Sequence, residues 1–90
     1  MTPEEIRDVV IRCIRRVAPE VEPDEIDPAA PLRAHLDIDS MDHLNIVIGI
    51  HNELGVEIPE EDYPRLMTLD GCVSYVHEAM TAQGSGAARD

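Results

Sequence analysis

LDIDSMDHLNIVIGIHNELGVEIP, residues 36–59, decides how this chain folds. Its centre has helical spacing. His43, Ile46, Val47, Ile50 and Leu54 fall on one face, and Asp42, Asn45, Asn52 and Glu53 on the opposite one. Met41 and Ile48 lie beside the polar arc, so an apolar pair is expected to meet solvent. The helix is predicted to start at Asp39 or Ser40, both good capping residues, and to run to Leu54, with Gly55 as the residue that ends it. Gly49 sits mid-helix at a cost of about 1 kcal/mol relative to alanine, which points to close packing or to plain tolerance. Val56-Glu57-Ile58-Pro59 reads as a short extended link.

Upstream, residues 19–39 hold Pro19, Pro23, Pro28 and Pro31, which exclude a regular helix. Val21, Ile26, Leu32, Leu36 and Ile38 are spaced through this long connection as pins to a core, and loops this long in small domains are often functional. Before it lies a well-signalled helix. Thr2-Pro3-Glu4-Glu5 supplies a cap, a first-turn proline and the glutamate of a capping box. Ile6, Val9, Val10, Cys13, Ile14 and Val17 then form one continuous apolar face. Downstream, Glu60–Tyr63 can form a brief helical turn. Thr68 caps a last helix with Leu69, Cys72, Val73, Val76 and Met80 on its apolar stripe. Residues 83–90 read as a frayed tail after a domain spanning 1–82. The fold class is therefore all-α: a small four-helix bundle with three main helices, one short helix and a long loop between the first two.

With 90 residues the chain fits one domain. Ile, Leu and Val supply 23 residues and there is no Trp or Phe, so the core must be aliphatic. The formal charge is −12 and all seven cations are Arg. Residues 35–80 carry ten acids against the single cation Arg65. Such a field repels nucleic acid and anionic membranes and attracts proteins with basic docking surfaces. Cys13 and Cys72 sit on apolar stripes without CxxC spacing, as buried free thiols do. Nothing reads as a signal peptide or a membrane span. A cytoplasmic monomer is expected.

Several chemistries fail on spacing. Asp37-Ile38-Asp39 begins like a calcium loop, but its fifth, sixth and twelfth positions are Met41, Asp42 and Ile48, where an oxygen ligand, Gly and Glu are needed. His35, His43, His51 and His77 show no zinc-ligand spacing, so no metal is expected. Ser40 lacks the elbow of a serine hydrolase, and His43 is directed toward the core. Ser40 nevertheless opens a helix after a long loop. There a hydroxyl is accessible, and an attached phosphodiester would meet free N–H groups and the positive end of the helix dipole.

Leu36-Asp37-Ile38-Asp39-Ser40-Met41-Asp42, with Leu44, Val47, Leu54-Gly55-Val56-Glu57-Ile58-Pro59, Glu61-Asp62 and the helix start at Thr68-Leu69, closely resembles the acyl carrier protein family over roughly residues 3–80. The resemblance implies that Ser40, beside its motif neighbour Asp39, carries 4′-phosphopantetheine. A phosphopantetheinyl transferase moves that group from coenzyme A, and its thiol then holds acyl groups as thioesters. It implies a carrier without catalysis of its own. It also implies that partner enzymes dock on the helix after Ser40: on Met41, Asp42, Asn45, Ile48, Asn52 and Glu53. An aliphatic, Phe-free core between loosely packed helices is separately expected to admit an acyl chain near Val47, Ile50 and Leu54.

The chain departs from housekeeping carriers of fatty acid synthesis. Asp37 stands where they usually have Gly, and Asn45, His51 and Asn52 stand where they usually have acids. Rim charges set on-rate and partner choice, so a specialised carrier with a dedicated partner is expected, in a lipid, fatty acid or polyketide pathway. A peptidyl or aminoacyl carrier of an assembly line and an arm-less adaptor remain as alternatives. Acidity and the Leu54–Pro59 segment favour acyl over peptidyl, and the intact Asp39-Ser40 disfavours the adaptor.

Overall fold

The computed structural model describes the backbone of residues 1–89 and the side chains of residues 1–82; the boundary at 82 and the tail expected over 83–90 lie outside the residues described in full. Four α-helices, α1 (Pro3–Val17), α2 (Leu32–His35), α3 (Ser40–Leu54) and α4 (Leu69–Arg89), are joined by 3-10 turns at Pro23–Glu25 and Glu60–Leu66, and no strand occurs among the described residues. This is the all-α bundle expected from the sequence, with α1, α3 and α4 as its main helices.

α1 starts where its sequence says it must. The Glu5 N–H donates to Thr2 Oγ1 at 3.2 Å and the Thr2 N–H to Glu5 Oε1 at 2.8 Å, a complete capping box with Pro3 in the first turn. These bonds hold the Glu5 carboxyl below its ordinary range. Ile6, Val9, Val10, Cys13 and Ile14 are buried, and through that face α1 packs against both α3 and α4. Cys13 and Cys72 are both free and buried. On α3, Gly49 approaches α1 closely: a Cβ there would lie 3.4 Å from Cys13 Sγ, an ordinary contact. Tolerance therefore explains Gly49 as well as packing does.

The long connection is more structured than its prolines imply. Pro31 precedes the four-residue helix α2, because proline is barred from a helix interior but not from the start. Val21, Ile26, Leu32, Leu36 and Ile38 are all buried, as expected of pins. Backbone bonds complete the attachment: the Leu32 N–H donates to Met67 O at 2.7 Å and the Asp70 N–H to Pro28 O at 3.0 Å. His35 closes the loop on itself, accepting from the Asp27 N–H at 3.0 Å through Nε2 and donating to Pro31 O at 2.8 Å through Nδ1.

The turn expected at Glu60–Tyr63 continues to Leu66 through Pro64; the fixed φ of proline suits a tight helical turn. Tyr75, absent from the stripe read in the sequence, is buried on α4, while Val73 and Met80 are only half-buried. Tyr75 fastens α4 to the 60–66 turn. Its hydroxyl donates to Asp62 Oδ2 at 2.7 Å, and the Arg65 guanidinium lies 4.9 Å from its ring centroid. Burial, with help from Asp62, pushes the Tyr75 hydroxyl up to about 12.

At the start of α4 the Gly71 N–H donates to Thr68 Oγ1 at 2.8 Å, the cap expected from the sequence. A Cβ on Gly71 would collide with the Arg65 carbonyl oxygen, which is backbone and cannot rotate away, and with Thr68 Oγ1. Gly71→Ala should therefore destabilise by about 1–3 kcal/mol, the scale of overpacking, whereas Gly49→Ala, which meets only an ordinary contact, should stabilise by up to about 1 kcal/mol through helix propensity. Thermal unfolding of the two variants checks this, since 1 kcal/mol moves the midpoint of a domain of this size by roughly 4–8 °C.

Candidate functional site

The site is built around the first turn of α3. Its cap is Asp39: the Asp42 N–H donates to Asp39 Oδ1 at 2.9 Å, and the Asp39 N–H donates to Asp42 Oδ2 at 3.2 Å. The helix begins at Ser40 itself, so Ser40 is the first helical residue and not its cap. A capping serine has its hydroxyl turned back to the backbone, whereas here a carboxylate fills that role and Ser40 stands exposed with its hydroxyl spared. The first helical hydrogen bond runs from the His43 N–H to Asp39 O at 3.0 Å. The N–H groups of Ser40 and Met41 precede it and have no helical acceptor, which suits them to an anionic group attached next to them.

Behind Ser40, α3 is held by His43. It is 7 % exposed, and its Nε2–H donates to Leu66 O at 2.9 Å, the buried, hydrogen-bonded histidine that its place on the wheel implied. The same carbonyl accepts from the Cys72 thiol at 3.4 Å. Burial pushes that thiol up to about 12 and also raises Cys13.

Along the outer face of α3, Met41 and Ile48 are 63 % and 44 % exposed. Asn45 and Asn52 are exposed between and beyond them. The structure thus brings four of the residues named from the sequence into one solvent-facing stripe leading away from Ser40. Two others are already engaged. Asp42 belongs to the cap, and Glu53 Oε1 accepts from Arg16 Nη2 at 2.7 Å. The Arg16 bond holds the Glu53 carboxyl below, and Arg16 above, its ordinary range. No sequence signal pointed to this pair, whose members are 37 residues apart. His51, which stands where housekeeping carriers usually have an acid, braces the end of its own helix. Its Nδ1–H donates to Val56 O at 2.8 Å across the turn made by Gly55, where φ is +67°.

A groove of about 180 Å³ runs between α3 and the segment that follows it, lined by Val47, Ile48, His51, Glu57, Ile58 and Tyr63. Ile50, expected to border an acyl cavity, is fully buried, and Val47 is 2 % exposed, so the opening lies one row further out than expected. A larger opening of about 440 Å³ lies between α1 and α4 and includes none of the residues around Ser40. Among the described residues no three His, Cys, Asp or Glu converge as metal ligands, and no helix is long and apolar enough to cross a membrane.

A small helical bundle that offers an unencumbered serine at a helix start, on a helix with an exposed outer stripe, has the form of a carrier. The phosphopantetheine attachment site family matches residues 8–76. Similar proteins include the meromycolate extension acyl carrier protein of Mycobacterium tuberculosis, 35% identical over 78 residues (87% of this chain and 67% of the relative). The acyl carrier protein of Zymomonas mobilis is 32% identical over 77 residues (86% and 92%). That of Rubrobacter xylanophilus is 29% identical over 79 residues (84% and 98%). The chain belongs to the phosphopantetheine-attachment family of acyl carrier proteins, whose prosthetic group is 4′-phosphopantetheine.

The Arg16–Glu53 pair has a definite pH signature. Glu53 has a lowered folded pKa, so its contribution is complete above the ordinary value near 4.5 and is lost as pH falls through the folded value. Arg16→Ala should lower the melting temperature relative to wild type at pH 7, and the gap should close once the pH falls below the folded value. Melting curves of both proteins across that range provide the measurement.

Proposed function

We propose that Ser40 carries the 4′-phosphopantetheine arm and that the chain is a specialised acyl carrier, not a housekeeping one. The observation that carries this reading is the division of labour at the helix start: Asp39 caps α3, and Ser40 is left exposed as its first residue. The arm supplies a thiol that holds acyl groups as thioesters. The chain's own residues do the rest. Asp39 and Asp42 fix the turn that presents the hydroxyl, the free N–H groups of Ser40 and Met41 meet the phosphodiester, and His43 anchors the turn from behind. The protein performs no bond-making itself. It serves a phosphopantetheinyl transferase and acyl-handling enzymes in the cytosol.

Specialisation is supported by the exposed stripe Met41, Asn45, Ile48 and Asn52, in which the two amides stand where a general carrier presents acids. The acids that remain on α3 are Asp42, tied into the cap, and Glu53, tied to Arg16. A partner reading this helix meets apolar and amide groups along its middle, with acidic residues at the Asp37–Asp42 and Glu57–Asp62 ends to steer the approach. The meromycolate extension carrier among the relatives supports a lipid pathway of restricted scope.

Incubation with coenzyme A and a promiscuous transferase should add one phosphopantetheine to the wild-type mass and none to Ser40→Ala; a wild-type chain that gains nothing overturns the attachment reading. With the arm in place, turnover by a general fatty-acid ketosynthase should be low and should rise severalfold in Asn45→Glu/Asn52→Glu. Wild-type turnover equal to that of a housekeeping carrier would count against specialisation.

A further inference from the structure

His51 occupies an unusual position. A backbone carbonyl only accepts, so the Nδ1 that meets Val56 O at 2.8 Å must carry the ring proton. The neutral ring is thereby locked in one tautomer, and Nε2 remains as an acceptor not needed by the fold. The ring is half-buried and lines the groove beside α3, together with apolar Val47, Ile48 and Ile58 and with Tyr63, which brings a phenol hydroxyl. The sixth lining residue, Glu57, is an exposed carboxylate, and Glu60 and Glu61 follow it closely, both exposed.

Each feature narrows the ligand. Val47 and His51 lie seven and eleven residues past Ser40, roughly 10 and 16 Å along the helix axis at 1.5 Å per residue, within reach of an extended pantetheine arm. A groove of about 180 Å³, open to solvent along one side, offers room for a short acyl head and not for a long chain. The apolar wall suits methylenes. The acceptor on His51 and the hydroxyl on Tyr63 suit a neutral group that donates a hydrogen bond. The surrounding carboxylates disfavour an acyl group ending in its own carboxylate, since like charges repel.

We infer that His51 is a specificity-determining residue for the acyl group, and that the groove receives a short hydroxyacyl chain whose hydroxyl donates to His51 Nε2. This rests on Ser40 as the attachment residue. It goes further in naming the cargo and the atom that reads it.

The test loads the full chain, through the transferase, with coenzyme A analogues bearing hexanoyl or β-hydroxyhexanoyl groups, and intact mass confirms each product. Imidazole nitrogen NMR should show the His51 Nε2 resonance moving with β-hydroxyhexanoyl and not with hexanoyl, while Nδ1 stays protonated. His51→Asn keeps a side-chain N–H for Val56 O but has no second ring nitrogen. It should melt near wild type, yet lose a severalfold protection of the β-hydroxyacyl thioester against hydrolysis. If both acyl groups leave His51 unchanged, or move it equally, the inference is overturned while the mass gain upholds Ser40. A chain that gains no mass overturns the Ser40 reading and this inference with it.

Discussion

The carbonyl of Leu66 accepts from His43 Nε2–H and from the Cys72 thiol, and the next carbonyl, of Met67, accepts from the Leu32 N–H. These bonds gather α3, α4 and the long connection at one corner. A core without Trp or Phe has little large-area burial to offer, and a connection rich in proline has few N–H groups to place. The corner answers both shortages. Aliphatic pins such as Leu32 and Ile26 hold the loop to the core, and backbone bonds to residues 66–70 fix its direction. Gly71 belongs to the same arrangement, since α4 can start against the Arg65 carbonyl only where there is no Cβ.

The corner also explains why Ser40 is presented so simply. His43 secures the first turn of α3 from the inside, and the Asp39–Asp42 box secures it from the outside. Between them the serine needs no structural role. The rest of α3 is divided in the same way. Its carboxylates serve the cap and α1, and the stripe that faces solvent is apolar and amide in character. The residues that hold the helix in place and those it leaves to solvent are different ones.

Much of this was legible in the sequence, because it is local. The capping box of α1, the run from Ile6 to Ile14, the exposed pair Met41 and Ile48, the buried side of His43 and the Thr68 cap all follow from spacings of three and four. The start of α3 was legible to within one residue. The choice between Asp39 and Ser40 as cap was not, because both residue types cap well and only the reciprocal bond from Asp42 decides it. Contacts across the fold left no trace: Arg16 with Glu53, Tyr75 with Asp62, the loop with Met67. Each depends on how helices cross, which periodicity does not encode. The carrier character came from a pattern spread over the chain, and the groove at His51 came only from the folded backbone.

The two cysteines carry a consequence for the chemistry of cargo. A thioester is an acylating agent, and any ionised thiol close by competes for its acyl group or traps the carrier's thiol in a disulfide. Cys72 is wholly buried, donates to Leu66 O, and ionises only near 12; Cys13 is buried against Gly49 and raised as well. Neither can take part in exchange while the bundle is closed. The fold thus keeps its own two thiols away from a thioester on the arm: with Cys13 and Cys72 closed in, migration of an acyl group onto a cysteine of the chain is shut off.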